Sequence, residues 1–214
     1  MASLEEMLGS TYEELGVSEQ NKGSINAFLA IIKLKDIPTY EHNVRVGLLS
    51  KRIAQHMHLD PNALFYAGTL HDVGKALIPP ETLKKTEGFD ANDMALMKKH
   101  VEYSYQLLRG VHEFSAEIAL RHHYFQEKGY PKKLPKPKVA YSGNTQLMIN
   151  YYARLLSLAD FYDALTTRNN DKHGEKRQIG GDEAKAIFLA KNKDQRYLIE
   201  ELYKAGIFGQ QAAQ

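Results

Sequence analysis

Along most of the chain, apolar residues recur every three or four positions, the spacing of helices that pack through one face. In INAFLAIIKL (25–34) the apolar positions run nearly all round, which predicts a buried helix. VRVGLLSKRIAQHM (44–57) turns Val44, Leu48 or Leu49, and Ile53 inward and Lys51, Arg52 and Gln55 outward. NALFYAGTLHDVGKA (62–76) reads as a helix that weakens at Gly74. NDMALMKKHVEYSYQLLRG (92–110) has Asn92 or Asp93 as a cap and Gly110 as a stop. EFSAEIALRHHYFQ (113–126), LMINYYARLLSLADFYDALTT (147–167), DEAKAIFLAKN (182–192) and DQRYLIEELYKAG (194–206) complete a set of about eight helices. No stretch alternates apolar and polar residues as a strand would, so the expected fold class is all-α, a single helical bundle.

Two segments interrupt the helical pattern. EKGYPKKLPKPKVAYSGNTQ (127–146) carries three prolines and lysines at 132, 133, 136 and 138, and cannot form one continuous helix. RNNDKHGEKRQIGGDE (168–183) is polar and contains glycine, and reads as a second long loop. Neither a repeat nor a linker divides the chain. The expected organisation is an N-terminal helical extension packed on the domain (1–34), a main domain (35–205) and a C-terminal tail (206–214).

Composition changes this picture in one respect. At 214 residues, with 43% hydrophobic and 25% charged residues, the chain is an ordinary globular one able to bury a sizeable core. A formal net charge of +2 is too small to suggest a nucleic-acid polymer as partner. The start, MASLEEMLGSTYEELG, lacks the basic flank and apolar run of a signal peptide, and no apolar run is long enough to span a membrane. A cytoplasmic location is therefore expected. There is no cysteine, which removes disulfides, thiolate metal sites and cysteine nucleophiles. There are nine histidines, and in a cysteine-free chain His is the softest metal ligand available.

A lone His on an apolar helix face is ordinarily a hydrogen-bonded core or boundary residue. His56, His58, His112 and His173 are read that way, or as surface residues. His42, His71, His100, His122 and His123, with Asp72 and Asp160, are different. Each is tied to an apolar helix, so each is expected to point toward a common interior, as ligands do in helical bundles. A carboxylate at the end of an apolar helix is costly to bury unless it is paired or metal-bound.

The series H…HD…H…HH…D, carried by KDIPTYEHNVRV around His42, HDVGKALIP at 71–79, HHYFQEKGYP at 122–131 and ARLLSLADFYDALTTR at 153–168, resembles the HD-domain metal-dependent phosphohydrolases. More narrowly it is similar to the HD-GYP branch, which includes cyclic di-GMP phosphodiesterases. DEAKAIF, near the C-terminus, is similar to that branch's closing helix, and the resemblance covers roughly residues 35–205. It departs from the branch's pattern in four places: Tyr124 stands where HHE is usual, with the spacer before GYP one residue short; Pro38 stands where three-metal members carry a Glu; RNN follows Thr167 in place of RPY; and the loop after Pro131 is longer.

The resemblance implies a metal-dependent phosphohydrolase, foremost a phosphodiesterase acting on a cyclic dinucleotide or another small nucleotide. It implies two divalent metal ions, iron or manganese favoured, with zinc or nickel as further candidates. His42, His71, Asp72 and Asp160 would hold the first. His100 and His122 would hold the second, with His123 as a further ligand or as an orienter of one. Asp72 is expected to bridge and, with Lys75, to be catalytic, while Asp163 would orient a ligand His. Lys75, Tyr130, Arg154, Arg168 and Lys172 are the expected substrate-binding residues. Nearly the same ligand series serves di-iron HD-domain oxygenases, the second functional class. A non-catalytic ligand-sensing or protein-interaction module is the third. The apolar N-terminal helix and tyrosine-rich surface suggest a homodimer.

Overall fold

The structure, a computed structural model, describes residues 2–137, 140–167 and 179–209. Eleven α-helices and two short 3₁₀ turns make up the regular structure of these residues, with no strand among them. The helices are α1 (Leu4–Glu14), α2 (Glu19–Lys35), α3 (Ile37–His56), α4 (Pro61–Leu70), α5 (Pro80–Leu83), α6 (Ala91–Lys98), α7 (His100–Leu108), α8 (Glu113–Arg121), α9 (Gly143–Thr167), α10 (Gly181–Lys191) and α11 (Arg196–Lys204). The 3₁₀ turns are Val73–Leu77 and Lys193–Gln195. The all-α expectation is borne out. No described helix is long and apolar enough to cross a membrane.

α3 and α9 organise the core. α3 is capped by Asp36, whose side chain accepts from the Thr39 amide at 3.0 Å, and proline near its first position suits a helix start. In α9 the residues from Tyr152 through Asp160 are buried without interruption, because neighbours cover it on several sides. Val46 and Ile53 from α3 join Leu155, Leu156 and Leu158 from α9, Phe188 from α10 and Phe208 in one cluster. A second cluster holds Leu8, Ile25 and Leu29 from α1 and α2 against Val44, Phe65, Leu70, Leu108 and Leu120. The α3 and α4 backbones meet closely: a Cβ on Gly68 would lie 2.9 Å from the Gly47 Cα and from the Val46 carbonyl oxygen. That contact seats the end of α4 against the third turn of α3, and the His42 and His71 rings lie 5.2 Å apart.

Several elements differ from the expectation, each for a local reason. The helix expected over 92–110 is two helices. The Lys99 amide donates to the Leu96 carbonyl at 3.0 Å, tightening the turn, and His100 donates to the Met97 carbonyl. No glycine or proline signals that break. The helix expected over 62–76 ends at Leu70 and resumes as the 3₁₀ turn, and the one over 113–126 ends at Arg121. α9 begins four residues earlier than expected, with the Ser142 hydroxyl accepting from the Thr145 amide at 3.2 Å.

α1 falls within the extension expected to be helical but was not singled out as a helix of its own, although Ser3 and Glu6 form a reciprocal capping box at its start. α2 is not buried all round: Ile25, Leu29 and Ile32 meet the core, while Ile31 and Leu34 are 53% and 90% exposed. Ile207 and Phe208, expected in the tail, pack into the core beside α10 and α11. Arg168, Lys172, His173 and Lys138 lie outside the described residues.

Candidate metal centre

Helix ends deliver most of the expected ligands to one interior point. His71 follows the last residue of α4, Asp72 leads into the 3₁₀ turn, His100 opens α7, and His122 and His123 follow α8. At a helix end the chain turns, so the side chain can enter the space between helices rather than lie along a helix face. His42, in the second turn of α3, and Asp160, in the C-terminal half of α9, reach the same point. His42, His71, Asp72, His100 and His122 are each no more than 1% exposed. With those of Asp160 and His123, their ligand atoms fall into three sets whose members lie within 4.8 Å of one another: His42, His71 and Asp160; His71, Asp72 and His122; His100, His122 and His123.

Three of the imidazoles are held in the same way. Nδ1 of His71, His100 and His122 donates to the carbonyl three residues earlier: Gly68 at 2.7 Å, Met97 at 2.7 Å and Ala119 at 2.6 Å. A carbonyl oxygen only accepts, so these bonds assign the proton to Nδ1 and leave the Nε2 lone pair free. All three Nε2 atoms are buried without a hydrogen-bond partner, and so is Asp72 Oδ1. His100 Nε2 and Asp72 Oδ1 lie 3.0 Å apart, yet the contact lacks hydrogen-bond geometry. Two facing acceptors in a dry interior repel unless a cation lies between them. The donor set therefore fits a metal centre: neutral imidazoles and carboxylates, oriented by backbone bonds, with ligand atoms otherwise unsatisfied.

The two oxygens of Asp72 face different ligands. Oδ2 is 3.3 Å from His71 Nε2 and 3.7 Å from His42 Nε2, whereas Oδ1 meets His100. The buried Lys75 ammonium, three residues on, also pairs with Oδ2. Burial works to raise the Asp72 pKa, but Lys75, His71 and His100 outweigh it and hold the carboxyl ionised, well below its ordinary value. Asp160 is likewise held well below, with His42 and His123 overcoming burial. Burial pushes His122 down to about 3, with the neighbouring His71 adding to the effect. It also pushes His123 well below the usual imidazole value, helped by His122. Both rings are therefore neutral and able to bind a cation. At His71 the carboxylates of Asp72 and Asp160 outweigh burial and raise the pKa, so a cation binding at Nε2 would take the place of a proton there.

His42 is oriented by Asp163, as expected. Its Nδ1 contacts Asp163 Oδ2 at 2.7 Å, while Nε2 lies 3.1 Å from Asp160 Oδ1. Arg45, which sequence reasoning missed, completes the arrangement. Its guanidinium donates to Asp163 at 2.7 and 3.0 Å and to the Thr167 hydroxyl at 3.2 Å. The available signal was Arg45 standing one helical turn after His42. Gln126 was also missed; it donates to His123 Nδ1 at 2.7 Å, the atom that lies 3.9 Å from Asp160. His123 thus differs from the other three rings: its Nδ1 accepts from a side chain instead of donating to a backbone carbonyl.

The expected substrate residues divide. Tyr130 stacks on His123, with ring centroids 4.7 Å apart and planes at 30°, and borders the centre. Burial and the carboxylates of Asp72 and Asp160 push its phenol pKa far up, so it remains an O–H donor. Arg154 is a correction: its guanidinium donates to Asp194 at 2.8 and 3.0 Å and to Asn192 at 3.1 Å. It joins α9 to the α10–α11 connection instead of offering itself to a phosphate. His112 bonds with the Ser24 hydroxyl at 3.2 Å, as the boundary reading expected, and His56 and His58 are exposed.

Comparison with known proteins agrees with this geometry. The HD domain family model matches residues 39–165. The 3'3'-cGAMP-specific phosphodiesterase 2 of Vibrio cholerae is 30% identical over 77% of this chain and 32% of its own length. A cyclic di-GMP phosphodiesterase of Thermotoga maritima is 31% identical over 65% of this chain and 37% of its own length. The chain thus spans about a third of the length of these curated relatives. Among solved structures, the HD domain of the L. monocytogenes phosphodiesterase PgpH is similar, with a TM-score of 0.56 at 19% identity, covering 82% of this chain and 86% of that one. That likeness supports the fold. The ordered ligand series and its convergence in the interior, together with a family match over more than half the length, establish that this chain belongs to the HD domain family.

Proposed function

We propose that this chain is a metal-dependent phosphodiesterase that hydrolyses a cyclic dinucleotide. The observation that carries the reading is the pair of Asp72 oxygens, each facing a separate group of imidazoles, beside Nε2 atoms that have no other partner. That arrangement suits two divalent ions sharing one carboxylate. His42, His71, Asp72 and Asp160 would hold one ion, and His100, His122, His123 and the other oxygen of Asp72 the second. Imidazole and carboxylate donors without thiolate favour iron or manganese, with zinc or nickel also accepted. When bound, such a pair supplies an acidified water and stabilises charge on a phosphoryl oxygen.

The chain's own residues supply the rest. Lys75 carries a buried positive charge at the centre, placed to meet a non-bridging phosphate oxygen. Tyr130, kept protonated, offers a hydrogen-bond donor at the border. In the reaction a water oxygen forms a bond to phosphorus, the ester P–O bond breaks, and the departing oxygen takes up a proton. Relatives named for cyclic di-GMP and 3'3'-cGAMP, and a solved PgpH HD domain in complex with cyclic-di-AMP, support the substrate class.

The test uses protein purified anaerobically and loaded with manganese or iron. Cyclic di-GMP, 3'3'-cGAMP, cyclic di-AMP and bis(4-nitrophenyl) phosphate are supplied in parallel while oxygen uptake is monitored. Phosphodiester cleavage that stops on chelation, with no oxygen consumed, is the expected result. Substrate-dependent oxygen uptake without hydrolysis would overturn the reading, as would failure to bind any divalent ion.

A further inference from the structure

Beside the metal centre lies a separate cleft of about 380 Å³, lined by Ala95, Lys98, Lys99, Glu102, Tyr130, Pro131, Lys132 and Lys133. Two segments far apart in sequence form it: the α6–α7 junction that carries His100, and the stretch just after Gly129. Four lysines face one small volume whose single acidic lining residue is Glu102. Elsewhere on the surface, lysines 22, 33, 51, 85 and 204 each hold a carboxylate. Among the described residues, none of the four cleft lysines forms an ion pair. Four like charges gathered against a single carboxylate repel one another, and a bound anion relieves that repulsion.

Tyr130 connects the cleft to the centre. The ring that stacks on His123 at 4.7 Å and meets His100 edge-on at 6.2 Å also has the half-buried Lys98 ammonium 5.4 Å from its centroid. Metal-side and lysine-side groups therefore share one aromatic wall. We propose that this cleft is the subsite for a second phosphate, so that the substrate carries one phosphodiester at the metal centre and another against Lys98, Lys132 and Lys133. The inference rests on the phosphodiesterase reading and deepens it: the subsite separates substrates with two phosphates from simple phosphodiesters, and it acts on binding more than on turnover.

The experiment compares the wild type with the triple variant K98Q/K132Q/K133Q on cyclic di-GMP and on bis(4-nitrophenyl) phosphate, a diester with a single phosphate. The variant is expected to raise KM for cyclic di-GMP by about tenfold, with kcat changed far less, and to lower the preference for cyclic di-GMP over the single-phosphate ester by about tenfold. Its KM should also depend less steeply on salt, because fewer cations contact the substrate. The surface variant K204Q is the control and retains the wild-type preference. Equal losses on both substrates, or no loss on either, overturn the subsite. So does a wild type that cleaves the simple diester but shows no preference for cyclic di-GMP. A wild type that cleaves no phosphodiester at all refutes the underlying phosphodiesterase reading instead.

Discussion

Asp72→Ala is expected to abolish phosphodiester hydrolysis and to leave no more than one metal ion per chain. The two oxygens of this carboxylate face different sets of histidines, Oδ2 toward His71 and Oδ1 toward His100, so its loss removes a ligand from each. The fall in turnover should be roughly a thousandfold or more, beyond the roughly 10- to 100-fold typical of outer-shell partners. Removing Asp72 also strands the buried Lys75 ammonium, and breaking a buried ion pair costs about 3–5 kcal/mol. Instability could therefore mimic a catalytic defect. The double variant D72A/K75M separates the two effects, because it removes the stranded charge: stability measured by urea unfolding should largely return, while activity and the second metal should not. An Asp72→Ala protein with both metals and full turnover would show that the bridge assignment is wrong.

Gly74→Ala is expected to be the most damaging small substitution at the centre. A Cβ at residue 74 would stand 2.1 Å from the His100 carbonyl oxygen and 2.4 Å from the Ser104 amide nitrogen. Both are backbone atoms, so no side-chain rotation relieves the clash. The Gly74 amide also donates to the Ser104 hydroxyl at 2.9 Å, which ties the 3₁₀ turn to α7. Forcing the two apart moves Asp72 and Lys75 away from His100. Overpacking of this kind costs about 1–3 kcal/mol, and here it should also weaken metal binding at the His100 side. Gly23→Ala is the contrast, since nothing lies within 4 Å of its added methyl in α2. That substitution should stabilise by about 0.5–1 kcal/mol. Urea midpoints and metal content of the two variants check both outcomes.

The buried His and Asp cluster was legible in the sequence because each member is tied to an apolar helix, and burial of such a group demands a partner. The fold class was legible for a related reason: helical periodicity runs through nearly every segment. What escaped was set by tertiary contact. Arg154 stands in the apolar run of α9, and in one dimension a cation there reads equally well as a phosphate ligand or as half of an ion pair; its partner Asp194 is forty residues further on. Arg45 was overlooked because its target, Asp163, lies across the bundle. The break at Lys99 has no glycine or proline to announce it, yet it aims the His100 ring inward while its Nδ1 is anchored to Met97. Tyr130 was identified from the GYP tripeptide, but its role as the shared wall between centre and cleft needed the α6–α7 junction to be placed against it.

The central claim is that water, not dioxygen, attacks phosphorus at this centre. The most direct measurement is cleavage of cyclic di-GMP by the metal-loaded protein in water enriched in ¹⁸O, with the products weighed by mass spectrometry. One ¹⁸O atom on the new phosphate for each ester bond broken is the result predicted here. Cleaved product without the label, or labelled only when ¹⁸O is supplied as dioxygen, would contradict it.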